Sequence, residues 1–354
     1  MIVEVKSVEL NTKKATLRDV AKAAKVSIAT VSRVINKNYY VSPEIENRVL
    51  KAKKDLDYFP NSVARSLKIN STHTIGFIVS DISNGYHITI ARAVEDVIKN
   101  ANYSLIMCST ENNKERELTY LELLLSKNID ALILNTTGFN DDFIVKRFNN
   151  NIPIILINRR LKAPGFIGDI ADSNNISGTY LLAKQLLMLG HRRIFVIKGP
   201  SNLSNSQERY SGFKKAMSEF GVDVPEDYPF KFDGNFTLES GFHAVEYMCS
   251  LTIKPTAILS LNNMMTVGAL KCLKSKNINA PEDVSIAGYD GIDNFELMSV
   301  RPTFANFDPH KIGQQVGIAV LERISNNSIE NREFIFDPTI ITGNAVSIPT
   351  NNFR

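Results

Sequence analysis

Side chains able to do covalent chemistry are thinly spread along these 354 residues. The five histidines stand apart, and Cys108, Cys249 and Cys272 form an odd set with no C-x-x-C spacing. There is no G-x-x-x-x-G-K-S/T loop, no G-x-G-x-x-G turn, no G-x-S-x-G elbow and no H-E-x-x-H helix. The expectation is therefore a protein that is not an enzyme, with no catalytic residue, metal or other cofactor. His191, in LGHRR, reads as a structural residue at a helix exit, where a cation suits the negative end of the dipole. Cys108 and Cys272 lie in apolar patterns and read as small core residues, so a reducing, cytoplasmic home is expected. Cations, by contrast, are clustered. Residues 1–70 hold 14 Lys/Arg against 7 Asp/Glu, a balance of +7, while the remainder holds 27 against 30, a balance of −3. Such a cluster is the chemistry of a polyanion partner, because neutralising phosphates releases counterions. A solvated basic face has the same composition, so charge alone does not separate the two.

The elements that carry those cations are short helices. Thr16 followed by Asp19 is a capping pair, and Leu17, Val20, Ala21 and Ala24 repeat at helical spacing. Ser27 can cap a second helix whose Val31, Val34 and Ile35 point inward, leaving Ile28, Ala29, Ser32 and Arg33 outward. Ser42-Pro43-Glu44 opens a third, with proline where no amide hydrogen is needed, carrying Ile45, Val49, Ala52 and Leu56. The segment 61–68 is too short to hold a helix alone, since fewer than about 12 residues are marginal in water.

From residue 74 the pattern becomes short apolar runs alternating with amphipathic stretches. Strands are expected at 74–79, 105–108, 131–134, 154–157, 194–197, 230–232, 257–260 and 284–287. Helices are expected near 87–100, 115–127, 141–149, 175–189, 207–220, 238–250 and 263–275. This alternation implies βαβ units, parallel sheets and two similar α/β lobes, with a ligand pocket beyond the carboxyl ends of the strands. With 44% hydrophobic and 22% charged residues the chain has ordinary globular composition, and no apolar run reaches the roughly 18 residues of a membrane span. Glu4, Lys6 and Glu9 interrupt any signal-peptide core, which disfavours secretion.

The run ATLRDVAKAAKVSIATVSRVINKNYYVSPEIENRVLKAKKDLDYFPNSVARSLK, residues 15–68, resembles the DNA-binding headpiece of the lactose-repressor/galactose-repressor family. The resemblance continues through SDISNGYH, MLGHRRIFVIKGP, ERYSGF, GNFTLESGF, LNNMMTVGAL and DVSIAGYDGIDNF, covering the chain from Ala15 to about Val346. It implies an all-α helix-turn-helix headpiece at 15–60, a hinge helix and linker at 61–73, and a two-lobed sensor of periplasmic-binding-protein type at 74–346. An N-terminal extension at 1–14, whose Lys6, Lys13 and Lys14 are either phosphate contacts or plain tail, and a tail at 347–354 flank them. In the headpiece it places Ile28 and Ala29 against base edges, with Thr16, Ser27, Thr30, Ser32, Arg33 and Asn36 on phosphate or bases nearby. Ile28 and Ala29 can offer only apolar contact, for instance to a thymine methyl, whereas Arg33 can pair bidentately with guanine, so discrimination should fall on Arg33. In the hinge it places Ala64, Leu67 and Lys68 on the operator, Leu67 as a wedge in the central minor groove.

In the sensor the resemblance puts effector contacts at Tyr86, His87, Asn158, Arg209, Phe236, Asn262 and Asp290. Those side chains suit a polyhydroxylated ligand: acceptors and donors for hydroxyls, and flat faces at Phe236 and Tyr86 for the apolar side of a ring. Three departures stand out. Asn263 replaces the family's usual acid near the cleft, Leu203 replaces the arginine of purine-sensing members, which argues against a purine, and FDPTIITGNAVS lacks the usual Arg-x-Ser ending. The expected function is a ligand-responsive regulator, a repressor of a carbohydrate-use operon, that binds a palindromic operator as a homodimer. A periplasmic-type solute-binding protein without DNA function is the alternative; the headpiece and the absent signal peptide speak against it. Whether ligand releases or retains the DNA is left open.

Overall fold

The computed structural model describes residues 15–36, 39–59, 71–149 and 152–350. The chain divides into two compact units, Met1–Thr72 and His73–Arg354.

The first unit is three helices: α1 (Leu17–Ala24), α2 (Ile28–Asn36) and α3 (Pro43–Asp55). Thr16 and Asp19 form the expected capping box, the Thr16 amide donating to Asp19 Oδ2 at 2.9 Å and the Asp19 amide to Thr16 Oγ1 at 3.3 Å. The Thr16 amide, which no helical carbonyl can reach, is thereby satisfied, and the Asp19 amide gains a second acceptor beside the Thr16 carbonyl. Ser27 caps α2 through Thr30 N at 3.1 Å. Between them Lys25 takes a left-handed φ of 52°, which makes the turn tight, and the Arg48 guanidinium donates to the Ala24 and Lys25 carbonyls at the negative end of α1. Val20, Ala21, Ala24, Val31, Val34, Val49, Ala52 and Tyr58 form the core, with Leu17, Ile35 and Ile45 packed half-buried around it. Leu56, expected inside, is exposed because α3 stops at Asp55 and Tyr58 covers the core instead.

The second unit has two lobes. The first lobe's sheet runs β11-β5-β4-β3-β1-β2, built from β1 (Thr74–Val79), β2 (Ser104–Ser109), β3 (Ala131–Leu134), β4 (Ile154–Ile157), β5 (Asp169–Ser173) and β11 (Glu333–Phe336). The second runs β12-β10-β9-β8-β6-β7, from β6 (Ile194–Lys198), β7 (Lys231–Asp233), β8 (Ala257–Ser260), β9 (Ser285–Tyr289), β10 (Thr303–Asn306) and β12 (Thr339–Ile341). Helices α4 (Gly85–Ile98), α5 (Lys114–Ser126), α6 (Asp141–Phe148) and α11 (Pro309–Ser325) belong to the first lobe. Helices α7 (Asn175–Met188), α8 (Ser204–Glu219), α9 (Leu238–Ser250) and α10 (Asn263–Ser275) belong to the second. Strands β3, β4 and β8 are buried throughout and β1 from Ile75 onward, and all four are mostly apolar, as strands covered by helices on both faces must be.

Each sheet extends on one side past the expected strands, to β11 in the first and β12 in the second. Four strands and a helix lie outside the sequence reading: β5, β10, β11, β12 and α11. The β12 strand also breaks the expected all-parallel pattern, pairing antiparallel with β10. Strand β5 escaped notice because its sequence, DIADS, is polar; its buried Asp169 is tied by Arg323 and Arg332, each at 2.7 Å. The chain crosses between lobes after β5, after β10 and after β11. The first and third crossings are fastened together, Asn174 N donating to Phe336 O at 2.8 Å and Asn174 Nδ2 to Asp337 Oδ1 at 2.9 Å. Cys108 and Cys272 are buried, on β2 and α10. The described part of the tail is hydrogen-bonded to the second lobe, Ser347 N to Ser285 Oγ at 3.1 Å and Thr350 Oγ1 to Glu282 O at 2.8 Å.

Candidate functional site

Two surfaces follow from these elements, one in each unit. On the headpiece, α2 keeps Val31 and Val34 inside, so Ile28, 45% exposed, Ala29 and Arg33 stand outward with Ser27 beside them. Thr16 is exposed too, at the start of α1; Thr30, Ser32 and Asn36 are half-buried. Asn36 Nδ2 donates to the Ser32 carbonyl at 2.8 Å and to Ser32 Oγ at 3.2 Å, which holds the end of α2. Arg33 lies over the Tyr39 ring, 5.5 Å from its centroid, and so has a support along its reach. Ala64, Leu67 and Lys68 lie outside the described residues, as do Lys6, Lys13 and Lys14.

In the second unit the ends of the parallel strands converge on one cleft. All seven residues expected there line it: Tyr86 and His87 beyond β1, Asn158 beyond β4, Arg209 on α8, Phe236 beyond β7, Asn262 beyond β8 and Asp290 beyond β9. Asn158, Phe236 and Asp290 have left-handed φ values of 57°, 66° and 66°. Asparagine and aspartate tolerate that conformation, but for phenylalanine it is strain, of the kind a binding site retains when its neighbours over-determine it. The neighbour here is Gly199: a Cβ on it would stand 2.1 Å from the Phe236 ring.

Arg209 is the most constrained group in the cleft. Its Nε donates to Asn175 Oδ1 at 2.9 Å, its Nη1 to Leu261 O at 2.8 Å, and its Nη2 lies 3.5 Å from Asp290 Oδ2. The guanidinium also sits 3.7 Å above the Tyr289 ring. Asn175, at the first lobe crossing, is saturated. It accepts from Arg209 Nε and Tyr289 Oη and donates to Asp172 and Glu208. The sequence reading missed this hub, since an asparagine opening a helix looks like a cap; two side chains of opposite sign meeting it are visible only in three dimensions.

Burial and neighbouring charge set the protonation states. Burial raises the Asp290 carboxyl, and Arg209 opposes that rise. His87 is pushed down to about 4 by burial, with Arg159 adding to it, so it is neutral; its Nε2 meets Ser80 Oγ at 3.1 Å. Asp172 is pushed up to about 6 by burial and then by the charge of Glu208. Burial lowers His191, whose ring bridges Thr256 Oγ1 and the Ser347 carbonyl, each at 2.8 Å. His191 is therefore structural as a neutral bridge, not as the helix-end cation suggested by LGHRR.

The lobes touch around the cleft. Asn84 and Asn263 exchange two amide hydrogen bonds across it, at 3.0 and 3.1 Å, so the residue standing in place of the family's acid is a link between lobes. Asn263 Oδ1 also accepts from Asn262 Nδ2 at 3.2 Å, tying that link to a cleft residue. Arg160 N donates to Ser204 Oγ at 2.9 Å and Asn202 Nδ2 to Thr137 O at 3.2 Å. Leu203 is buried at the start of α8 and joins the apolar core. Among the lining residues that sequence reasoning did not single out are Asn135, Arg159 and Asn205. No helix among the described residues is long and apolar enough to cross a membrane.

Comparison with known proteins bears on both units. Residues 16–61 match the family described as bacterial regulatory proteins, lacI family, and residues 72–343 match periplasmic binding proteins and the sugar-binding domain of that family. The HTH-type transcriptional repressor PurR of Photobacterium profundum is 32% identical over 94% of this chain and 98% of its own. The fold of the lac repressor dimer bound to operator and an anti-inducer matches with a TM-score of 0.80 at 24% identity, covering 95% of this chain and 100% of that one. A regulator from Enterococcus faecium with bound ribose matches with a TM-score of 0.70 at 25% identity, over 78% of this chain and all of its own.

Proposed function

Because the chain belongs to the lacI family of bacterial regulatory proteins, we propose that it is a transcriptional repressor whose grip on operator DNA is set by a small polyhydroxylated ligand held in the cleft of the second unit. The observation that carries this reading is the coexistence, in one chain, of an outward α2 face bearing Ile28, Ala29 and Arg33 and a cleft between lobes lined by seven side chains suited to hydroxyls and a ring face. A solute-binding protein would have no use for the former.

On this reading Arg33 carries base discrimination and Ile28 and Ala29 supply apolar contact, while Thr16, Ser27, Thr30, Ser32 and Asn36 set position on phosphate or bases. Asp290 and Arg209 take vicinal hydroxyls, Asn262 and Asn158 donate and accept, His87 serves as a neutral partner, and Phe236 and Tyr86 cover the ring's apolar side. Ligand is then a sugar or sugar derivative. The PurR name is the relatives' own; here the position of the purine-sensing arginine is Leu203, an apolar side chain inside the core that offers a base no hydrogen bond. Two half-sites require two headpieces, so the working unit is a homodimer on a near-palindrome. Closure of the lobes on ligand changes how the headpieces are presented, and by linkage the operator changes ligand affinity by the same factor.

Removing residues 1–70 tests the division of labour. The shortened chain is expected to lose duplex binding in a gel-retardation assay and to keep the ligand-induced rise in melting temperature. Retention of specific duplex binding after the cut would overturn the assignment of DNA reading to the headpiece.

A further inference from the structure

The cleft contains a second arginine that the assignments above leave without a role. Arg159, 3% exposed, follows β4 and lines the first-lobe wall. Its Nη1 donates to Thr136 O at 2.8 Å and its Nη2 to Asn112 Oδ1 at 3.0 Å, both neutral acceptors, while its Nε has no partner. Four other arginines of this unit have acids: Arg209 has Asp290, Arg323 and Arg332 share Asp169, and Arg160 holds Asp172 and Glu333. No such ion pair forms at Arg159 among the described residues.

Nearby acids do not fill the gap. Glu117 is buried, but its oxygens are taken by Thr137 N, Thr137 Oγ1 and Asn140 Nδ2. Asp81, half-buried in the cleft lining, accepts from Ser83 N and Ser83 Oγ. Burial pushes the Arg159 guanidinium down to about 9, with Glu117 opposing and Arg209 adding to it. Asn135 Oδ1 and Asn205 Oδ1, also in the lining, lack partners and call for donors.

We propose that the ligand is an acid, carrying a carboxylate or phosphate ester that seats on Arg159, with its hydroxyls directed to Asn135 and Asn205. This rests on the reading of the cleft as an effector site and narrows it from sugars in general to hydroxylated anions. The charged hydrogen bond would occupy the vacant Nε, in a setting where a planar guanidinium is matched by two oxygens of one group.

Thermal melting of the full chain at constant ionic strength tests it, with inorganic phosphate, galacturonate and glucose 6-phosphate as probes and chloride, galactose and glucose as neutral or spectator controls. At least one of the three anions is expected to raise the melting temperature by several degrees above its control. The response of galacturonate against glucose 6-phosphate tells carboxylate from phosphate ester. In Arg159→Gln that rise is expected to vanish, and in Arg159→Lys, which keeps the charge, to persist in part. The inference is overturned if no anion exceeds its control, or if Arg159→Gln responds as the wild type does. Retardation of the chain's own upstream DNA, measured on the same preparation, separates this failure from failure of the repressor reading.

Discussion

At the scale of single residues, the cleft is held by local constraints that substitution can release one at a time. Gly199 is required because the Phe236 ring occupies the space a Cβ would take. Gly199→Ala is expected to displace that ring and weaken ligand binding roughly tenfold, about 1.4 kcal/mol, by calorimetry; unchanged affinity would remove Phe236 from the site. Protonation gives a second handle. His87, depressed to about 4, contributes stability above the unfolded value near 6.5 that is lost as pH falls through 4. Asp172, raised to about 6, works the other way: its penalty is present above 6 and relieved as pH falls toward 3.8. Each is worth on the order of 3 kcal/mol, so between pH 6 and 4 they largely cancel. Asp172→Asn is expected to be more stable than wild type at pH 7 and to lose that advantage by pH 4 in urea titrations. Parallel profiles would show that Asp172 is not perturbed. The seven expected cleft-lining residues were legible from motifs, whereas Asn175 and Arg159 were not, because their importance lies in partners distant in sequence or in the want of one.

At the scale of elements, the sequence announces what is periodic and hides what is not. The capped α1 and α2, the buried runs of β1, β3, β4 and β8, and helices α9 and α10 were readable because apolar spacing or caps mark them. Strand β5 was hidden by its acids, and β11 and β12 by short, partly exposed sequences away from the βαβ alternation. Helix α11 was missed although it organises the first lobe: Gly313 and Gly317 let it lie against α4. A Cβ on Gly313 would come within 2.6 Å of the Ile90 carbonyl, and one on Gly317 within 2.8 Å of Val97. Alanine for a helical glycine ordinarily gains about 1 kcal/mol. At Gly313 the obstacle is backbone, which cannot turn aside, so Gly313→Ala is expected to destabilise the chain by about 1–3 kcal/mol in chemical denaturation. A gain in stability would mean that α4 and α11 are not in such close contact.

At the scale of the whole molecule, charge division and fold division coincide: the +7 balance of residues 1–70 belongs to the unit with the outward α2 face, and the mildly acidic remainder to the unit with the cleft. Three crossings join the lobes, and Asn84, Asn263, Arg160 and Ser204 link them around the cleft, so a ligand that binds one arrangement of the lobes better than another shifts their equilibrium by that difference in affinity and no more. For the proposed repressor, the sign of the response, release or retention, is carried by no motif of the sequence. The most direct measurement is fluorescence anisotropy of labelled duplex from the chain's own upstream region, titrated at fixed salt with wild type and Arg33→Ala, with and without an acid that raises the melting temperature. Wild type is expected to bind far more tightly than to scrambled duplex, Arg33→Ala to lose about 1–3 kcal/mol of that specificity, and ligand to change Kd at least tenfold. Equal affinity for cognate and scrambled duplex, or a Kd indifferent to ligand, would contradict a repressor whose cleft governs its hold on DNA.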